Sequence, residues 1–259
     1  MVMETNWHTS PHYQHLILHL ADNSLILAQR LCEWCGHGPV LEQDIAVSNI
    51  ALDLLGEANN YYEYAAELIG DGQTADSLAM LRTEREYKNL LLVELPNGHF
   101  GDTVARQFFF DSFHCLLLEQ LLTVEDEQLR AIAEKSLKEA RYHLRWSSEW
   151  MIRLGDGTEE SHARMQKAVD DVLPFVGELF LLSDYQQAAV DATWVPDPRL
   201  LQPVWQQQVM EVLNEASLTV DLENAHVQKG GKQGLHTEHM GYILNDLQYM
   251  QRTYPGLVW

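Results

Sequence analysis

The sequence predicts an all-α protein, built as an antiparallel bundle of long helices with extra helices at both ends. Three observations predict this fold. Apolar residues recur at helical spacing over most of the 259 residues. The periodic segments exceed the mean helix length of about 11–12 residues. Short turns rich in Gly and Pro separate them, and long helices joined by short turns pack antiparallel.

Five helices are expected in the first 154 residues, at about 13–34, 42–69, 75–94, 102–123 and 127–154. Gly and Pro end helices, and they occur together in the turns GHGP (36–39) and PNG (96–98), while GDG (70–72) closes the second helix. Thr74 is a suitable N-cap for the third helix because its hydroxyl can accept a bond from the first turn.

Three further helices are expected at about 158–182, with a kink at Pro174, at about 204–225 and at about 237–252. Residues 185–203 include WVPDPRLLQP, which holds three of the eight prolines, so this segment is expected to cross the surface without regular structure. The last helix follows a Gly-rich turn, KGGKQG.

The whole chain, 1–259, is expected to form a single domain. Its bundle core is expected at about 41–154 and a C-terminal extension at about 185–259. The 46% of hydrophobic residues is enough for one large core.

The charge balance excludes several classes of partner. Acidic residues outnumber basic ones by 38 to 17, giving a formal charge of −21, which repels nucleic acid and anionic membranes. No apolar run is long enough to span a membrane, and the N-terminus does not read as a secretory signal. We expect a cytoplasmic protein.

Cys32 and Cys35 lack a βαβ context and are interpreted as small residues on a buried helix face.

An internal repeat places carboxylates at matching positions. Aligning NIALDLLGEA (49–58) with FFFDSFHCLL (108–117) puts Asp53 on Asp111. Glu84 follows the first by 31 residues and Glu139 follows the second by 28. Helices two and three are therefore predicted to repeat as helices four and five, with one carboxylate on each of four central helices.

Four inward carboxylates form the ligand frame of a di-iron bundle, in which two helices carry Glu-x-x-His. Here the corresponding segments read EREY (84–87) and EARY (139–142), so Tyr87 and Tyr142 stand where the histidines would be. A phenol with a pKa of about 10 is neutral at pH 7 and binds ferrous iron poorly. The sequence predicts a degenerate di-iron site with no metal bound by this chain.

Three side chains follow these carboxylates at helix-neighbour spacing and are expected to compensate their charge in place of iron: Lys88, His114 and His143. Two alternatives remain open. The chain could be a metal-binding oxygenase in its own right, because two histidines and a carboxylate suffice for non-haem iron, with the ligands Asp111, His114, Glu139 and His143. A ferritin-like iron store is disfavoured because both Glu-x-x-His motifs are absent.

The sequence lacks the motifs of several enzyme classes, and two histidines near its last helix have a structural interpretation. No Gly-x-Ser-x-Gly, P-loop or dinucleotide Gly pattern occurs, so hydrolase, nucleotidase and dehydrogenase functions lack support. His236 and His239 open the last helix, where we expect them to act in capping and contact.

Five long segments resemble a known family: RLCEWCGHGPVLE (30–42), NIALDLLGEA (49–58), LLLVELPNGHFGDTVARQ (90–107), KEARYHLRWS (138–147) and KGGKQGLHTEHMGYILNDLQYMQR (229–252). Over nearly its whole length the sequence resembles the C-subunit family of the bacterial multicomponent phenylacetyl-CoA epoxidases. These are the ring 1,2-monooxygenases of phenylacetate breakdown.

The resemblance implies a ferritin-like fold and a structural, non-catalytic role. Such C subunits pair with a homologous catalytic A subunit, which keeps the di-iron ligands, in heterodimers and higher hetero-oligomers with other epoxidase subunits. The complex uses dioxygen to epoxidise the aromatic ring of phenylacetyl-CoA. Its electrons come from a reductase subunit that holds FAD and an iron–sulfur cluster. This chain itself is then expected to bind no cofactor.

A peripheral contact with phenylacetyl-CoA is also expected. Coenzyme A carries several phosphates, which a net charge of −21 repels, but Lys88 and Asn89 are local exceptions. We expect the stretch Glu86, Tyr87, Lys88 and Asn89 to line a cleft shared with the partner.

Overall fold

The computed structural model describes residues 6–222 and 224–257 and confirms the all-α bundle; no strand occurs in these ranges. The α-helices of this part of the chain are α1 (Pro11–Cys32), α2 (Leu41–Ile69), α3 (Ala75–Met80), α4 (Phe100–Leu121), α5 (Glu127–Gly155), α6 (Glu159–Val176), α7 (Asp184–Asp191), α8 (Gln202–Glu215) and α9 (Glu238–Thr253).

Four long helices form the bundle: α1 packs along α2, α4 packs along α5, and α2 contacts α5. Their sequences show why, since each repeats large apolar residues at intervals of three and four. Ile17, Leu54, Phe109 and Leu137 are examples, one from each helix, and all are buried in one hydrophobic core. Because α1 belongs to this core, the bundle begins at residue 11 rather than at about 41.

The remaining helices cover two sides of the bundle. α7 packs on α1, while α6 and α8 pack against α4 and α5. α9 contacts α1, α3 and the two single turns of 3-10 helix that precede α4, Glu84–Glu86 and Leu91–Glu94. In the described ranges no helix is both long enough and apolar enough to cross a bilayer.

The prediction of a third helix reaching residue 94 is wrong. Thr74 does cap α3, accepting from the N–H of Ser77 at 3.1 Å, but this helix ends at Met80. Beyond Met80, backbone N–H groups that would donate within a helix donate to buried side chains instead. Asp22 accepts from Lys88 N at 2.8 Å and Asn23 accepts from Leu90 N at 2.8 Å. Tertiary partners thus replace the intrahelical bonds of this segment.

The predicted repeat of helices two–three as four–five is therefore also wrong. The two long antiparallel hairpins are α1–α2 and α4–α5, with α3 a short connection. Other elements differ at their ends or in kind. α6 ends at Val176 rather than at about 182, and α8 ends at Glu215 rather than at about 225. Residue 223, within that expected range, lies outside the described residues. The segment 185–203 was expected to be irregular, but its first residues, up to Asp191, belong to α7, whose N-cap is Ser183.

The interpretation of the two cysteines is only half right. Cys32 is the last residue of α1 and is partly buried, while Cys35 lies beyond the helix and is exposed. The two thiols therefore do not share a buried helix face.

Candidate functional site

The structure brings together three of the predicted carboxylates in the bundle. Asp53 lies on α2, Asp111 on α4 and Glu139 on α5. The fourth, Glu84, lies outside the bundle in the connection before α4, near Gly241 of α9. The predicted ring of one carboxylate on each of four helices is therefore not formed by this set.

A carboxylate that the sequence analysis missed, Glu57, occupies the buried centre. It lies one helical turn after Asp53 on α2, and this i,i+4 spacing was the available signal. Its two oxygens accept from the hydroxyl of Ser24 at 2.9 Å and pair with Nε2 of His114 at 3.1 Å. Burial alone raises the pKa of Glu57, but His114 and Ser24 outweigh it and lower that pKa.

His114 shows the complementary effect. Burial favours the neutral imidazole, but the neighbouring Glu57 outweighs burial and raises the pKa of His114. The predicted role of His114 in compensating a carboxylate therefore has a geometric basis, with Glu57 of α2 as the partner rather than Asp111 of its own helix.

A second histidine–carboxylate pair joins α2 to α5. Nε2 of His143 lies 3.1 Å from Oδ2 of Asp53, and the imidazole is buried while the carboxylate is about one-third exposed. Nδ1 of His143 is buried without a hydrogen-bond partner. The predicted link between His143 and Glu139, four residues before it on the helix, is not among its hydrogen bonds; the contact runs across the bundle.

Asp111 is held by neutral partners. Its carboxylate accepts from Gln107 Nε2 at 2.7 Å and from the Ser147 hydroxyl at 2.8 Å. Burial raises the pKa of Asp111 to about 6, against the attraction of His143 and His114. This carboxyl therefore carries a proton over much of the acidic range.

Replacing Asp111 by asparagine should raise the free energy of unfolding by about 2–3 kcal/mol above pH 6. Because the folded-state pKa is about 6 and the unfolded value 3.8, the unfolded chain releases its proton first and the folded state loses stability between these values. Asparagine removes that loss. Gln107 can turn its amide to receive the new N–H, because its Oε1 is buried without a partner.

Urea unfolding of both proteins at several pH values measures this difference. The advantage of the variant should shrink to nothing below pH 3.8, where the carboxyl is protonated in both states. A variant less stable than the parent at neutral pH would contradict the assignment of Asp111 as a costly buried acid.

The two Glu-x-x-Tyr segments differ in their surroundings. Tyr142 points outward, 42% exposed, with the guanidinium of Arg145 5.5 Å from its ring centre. Glu139 is partly buried, and burial with the nearby Asp53 raises its pKa. Tyr87 is instead fully buried under the guanidinium of Arg82, 4.2 Å from its ring centre. Neither the Tyr87 nor the Tyr142 hydroxyl forms a hydrogen bond with Glu57 or His114.

Asp22 of α1 is the centre of a second buried cluster, which the sequence analysis did not single out. It forms a salt bridge with Arg82 and accepts from the Tyr62 hydroxyl at 2.6 Å. The backbone N–H of Lys88 completes its shell. The sequence offers little indication of this cluster, because Arg82 was expected inside a helix at 75–94, whereas it lies in the connection after α3.

The stretch 86–89 is tied to this cluster. Glu86 caps the turn at Thr83 and is exposed, while Tyr87 and Asn89 are fully buried. Lys88 is half-buried, with its ammonium 5.6 Å from the ring centre of Tyr185, and burial lowers its pKa. Of the four, Lys88 and Glu86 reach the surface. The expected contact of this stretch with substrate stays a prediction.

The loop 229–237 is joined by hydrogen bonds to the connection between α3 and α4. Glu178 accepts from the N–H groups of Gly230 and Gly231 at 2.8 and 2.9 Å and from Leu91 N at 2.8 Å. Glu94 pairs with Nδ1 of His236 at 2.8 Å. The expected contact role of His236 is thus confirmed, and Thr237 rather than a histidine caps α9.

The side chains of the predicted metal frame take their polar partners from the chain itself. His114 and His143 are each paired with a carboxylate from another helix, and the Asp111 oxygens are taken by an amide and a hydroxyl. In residues 6–222 and 224–257 no three His, Cys, Asp or Glu side chains come together in a way that could hold a metal ion.

Comparisons with known proteins agree with the resemblance in the sequence. The profile of the family described as phenylacetic acid catabolic protein matches residues 2–259. The C subunit of 1,2-phenylacetyl-CoA epoxidase from Escherichia coli (strain K12) is 50% identical over 242 residues, which cover 93% of this chain and 97% of that protein. A match of this length and identity shows common descent over the whole fold, and the chain therefore belongs to the phenylacetic acid catabolic protein family.

Proposed function

We propose that this chain is a non-catalytic, structural subunit of a multicomponent phenylacetyl-CoA epoxidase and acts in phenylacetate catabolism. It pairs with the di-iron catalytic A subunit and supports it, while the FAD and iron–sulfur groups belong to the reductase subunit. The Escherichia coli relative, half of whose residues are identical over nearly its full length, is the C subunit of such an epoxidase and supports this assignment.

The observation that carries the non-catalytic role is the paired state of the bundle carboxylates. Glu57 is held by His114 and Ser24, and Asp53 by His143, in each case across helices. Buried carboxylates repel each other unless cations or protons intervene. Here imidazoles and hydroxyls of the chain itself perform that task, so the bundle needs no metal to be stable.

The alternative, an oxygenase using Asp111, His114, Glu139 and His143, has less support. A mononuclear site needs two imidazole nitrogens free to converge on one ion with a carboxylate. Nε2 of each histidine instead lies 3.1 Å from a carboxylate outside that set, Glu57 or Asp53. Binding iron through these two Nε2 atoms would require both histidine–carboxylate contacts to break.

Metal analysis separates the two functions. The chain is purified alone and after co-expression with the catalytic A subunit, and each sample is also incubated with ferrous iron without oxygen. We expect iron in the complex of the two proteins and none above background in the chain alone. Near-stoichiometric iron in the chain alone would overturn the structural role. A chain that never co-purifies with the A subunit would overturn the pairing.

A further inference from the structure

Two cysteines lie three residues apart at the end of α1, in a segment to which the proposed function gives no role. Cys32 is the last residue of α1 and is partly buried, while Cys35 follows it in the connection to α2 and is exposed. Cys115, the third cysteine of the chain, is buried in α4. The Cys32–Cys35 pair can therefore meet a reagent from solvent, whereas Cys115 is shielded from it.

The backbone at this pair forms consecutive tight turns. The N–H of Cys35 donates to the carbonyl of Cys32 at 3.1 Å, and the N–H of Trp34 donates to the carbonyl of Leu31 at 3.0 Å. A hydrogen bond between residues three apart brings their Cα atoms within about 7 Å, and in such turns their side chains lie on the same side. A disulfide spans Cα atoms about 4.4–6.8 Å apart. The turn therefore holds the two cysteines at a separation that a disulfide can bridge.

Contacts from two other helices fix the shape of this turn. Both carboxylate oxygens of Asp44, in the first turn of α2, accept from the N–H of Gly36, at 2.9 and 3.1 Å. Trp34, between the two cysteines, donates through Nε1 to the hydroxyl of Thr103 on α4 at 2.9 Å. Because the fold has already ordered this backbone, closing a bridge here loses little further chain entropy.

The two thiols are suited to different steps of a thiol–disulfide exchange. Burial, together with the nearby Cys35 and Glu33, raises the pKa of the Cys32 thiol. Cys32 therefore reacts slowly with a reagent in neutral solution, and the exposed Cys35 is the thiol that an incoming disulfide meets first. The raised pKa of Cys32 also favours the bridge once it has formed, because reduction would have to release a poorly stabilised thiolate.

We propose that Cys32 and Cys35 form a reversible redox site, which takes a low-molecular-weight disulfide as its oxidant. The Cys35 thiolate attacks one sulfur of that disulfide, so that a mixed disulfide forms and the first thiolate leaves. Cys32 then gives its proton to solvent and attacks the sulfur of Cys35, so that the Cys32–Cys35 bond forms and the second thiolate leaves. The two cysteines together lose two electrons and two protons, and the oxidant becomes two thiols. The site is independent of the proposed function, since it uses none of the residues on which that function rests.

The test equilibrates the purified full-length chain with 2-mercaptoethanol and its disulfide at a series of ratios. This couple is neutral, whereas a net charge of −21 would repel an anionic disulfide. Acid quenching, alkylation of free thiols and mass spectrometry of the tryptic peptide 31–82, which holds Cys32 and Cys35, measure the fraction bridged. We expect the bridge to appear in this peptide as the proportion of disulfide rises, while the buried Cys115 stays reduced.

Two serine variants separate the two steps. Cys32→Ser should accumulate the mixed disulfide at Cys35, because the second thiol is missing. Cys35→Ser should stay reduced at Cys32 under the same conditions, because that thiol is partly buried and its pKa is raised. A parent chain that carries only mixed disulfides, or no disulfide, at every ratio would overturn the redox site.

The same equilibrium in urea shows whether the fold builds the site. Unfolding removes the turn, so the folded chain should form the bridge with an equilibrium constant at least about tenfold larger than the unfolded chain. If the bridge forms as readily in urea, the turn does not bring the two thiols together and the proposal is wrong.

Discussion

Replacing Arg82 by methionine should lower the free energy of unfolding by about 3–5 kcal/mol at pH 7. The variant leaves the carboxylate of Asp22 fully buried without its cation, with only the Tyr62 hydroxyl and the Lys88 N–H as donors. Breaking one side of a buried ion pair costs more than the pair contributes, because the remaining charge stays out of water.

The geometry around Arg82 makes the loss larger than for a simple pair. Both terminal nitrogens of its guanidinium donate to Asp22, and Nη1 also donates to the carbonyl of Glu86 at 3.1 Å. The same guanidinium lies over the rings of Tyr87 and Tyr62. Methionine fills the space of the stem but restores none of these donors.

Urea unfolding of the purified chain measures the effect, with two controls. Adding Asp22→Asn to Arg82→Met should recover part of the lost stability, because the buried carboxylate that lost its cation is then replaced by a neutral amide. Arg199→Met removes an exposed arginine paired with Asp197 and should leave the unfolding midpoint nearly unchanged. A single variant Arg82→Met as stable as Arg199→Met would refute the role of Asp22 as a buried anion.

Gly231→Ala should detach the C-terminal loop and lower the free energy of unfolding by about 3 kcal/mol or more. A Cβ at this position would lie 2.2 Å from the carbonyl oxygen of Asn89 and 3.0 Å from Leu91 N. Both are backbone atoms of the connection before α4 and cannot turn aside. The clash would also break the bond from Gly231 N to Glu178.

Gly241→Ala is the control for this variant. Gly241 lies inside α9, and the nearest atom to an added Cβ is a flexible carboxylate oxygen of Glu84 at 3.8 Å. Alanine there should keep or raise stability by up to about 1 kcal/mol through helix propensity. Hydrogen exchange should report faster exchange of the Leu91 amide in Gly231→Ala alone. Equal protection in the two variants would contradict the tight contact between the loop and the connection.

The long helices were predictable because their signal lies within each segment. Apolar spacing gave α2, α4 and α5 to within about two residues at each end. Thr74 gave its cap in the same way. The third helix failed because the donors of Lys88, Leu90 and Leu91 are satisfied by side chains 66 to 87 residues away. Helix propensity depends on the local sequence, so it carries no information about side-chain acceptors that come close only when the chain folds.

The candidate site was predicted in its residue types but not in its pairs. Helical spacing placed Asp111 and His114 on one helix and identified both as bundle residues. It could not tell that His114 faces Glu57 across the bundle, since spacing along one helix does not fix which helix lies opposite. The same limit explains why Glu57 itself was missed.

The sequence by itself determined the all-α fold, the acidic surface and the family, because composition, periodicity and long segment matches are properties of the chain. Only the tertiary structure decided that α1 completes the bundle, that Arg82 neutralises Asp22, and that loop 229–237 seals the connection before α4. These depend on buried charges and orphan backbone donors finding partners far away in sequence, which packing alone brings within hydrogen-bond distance.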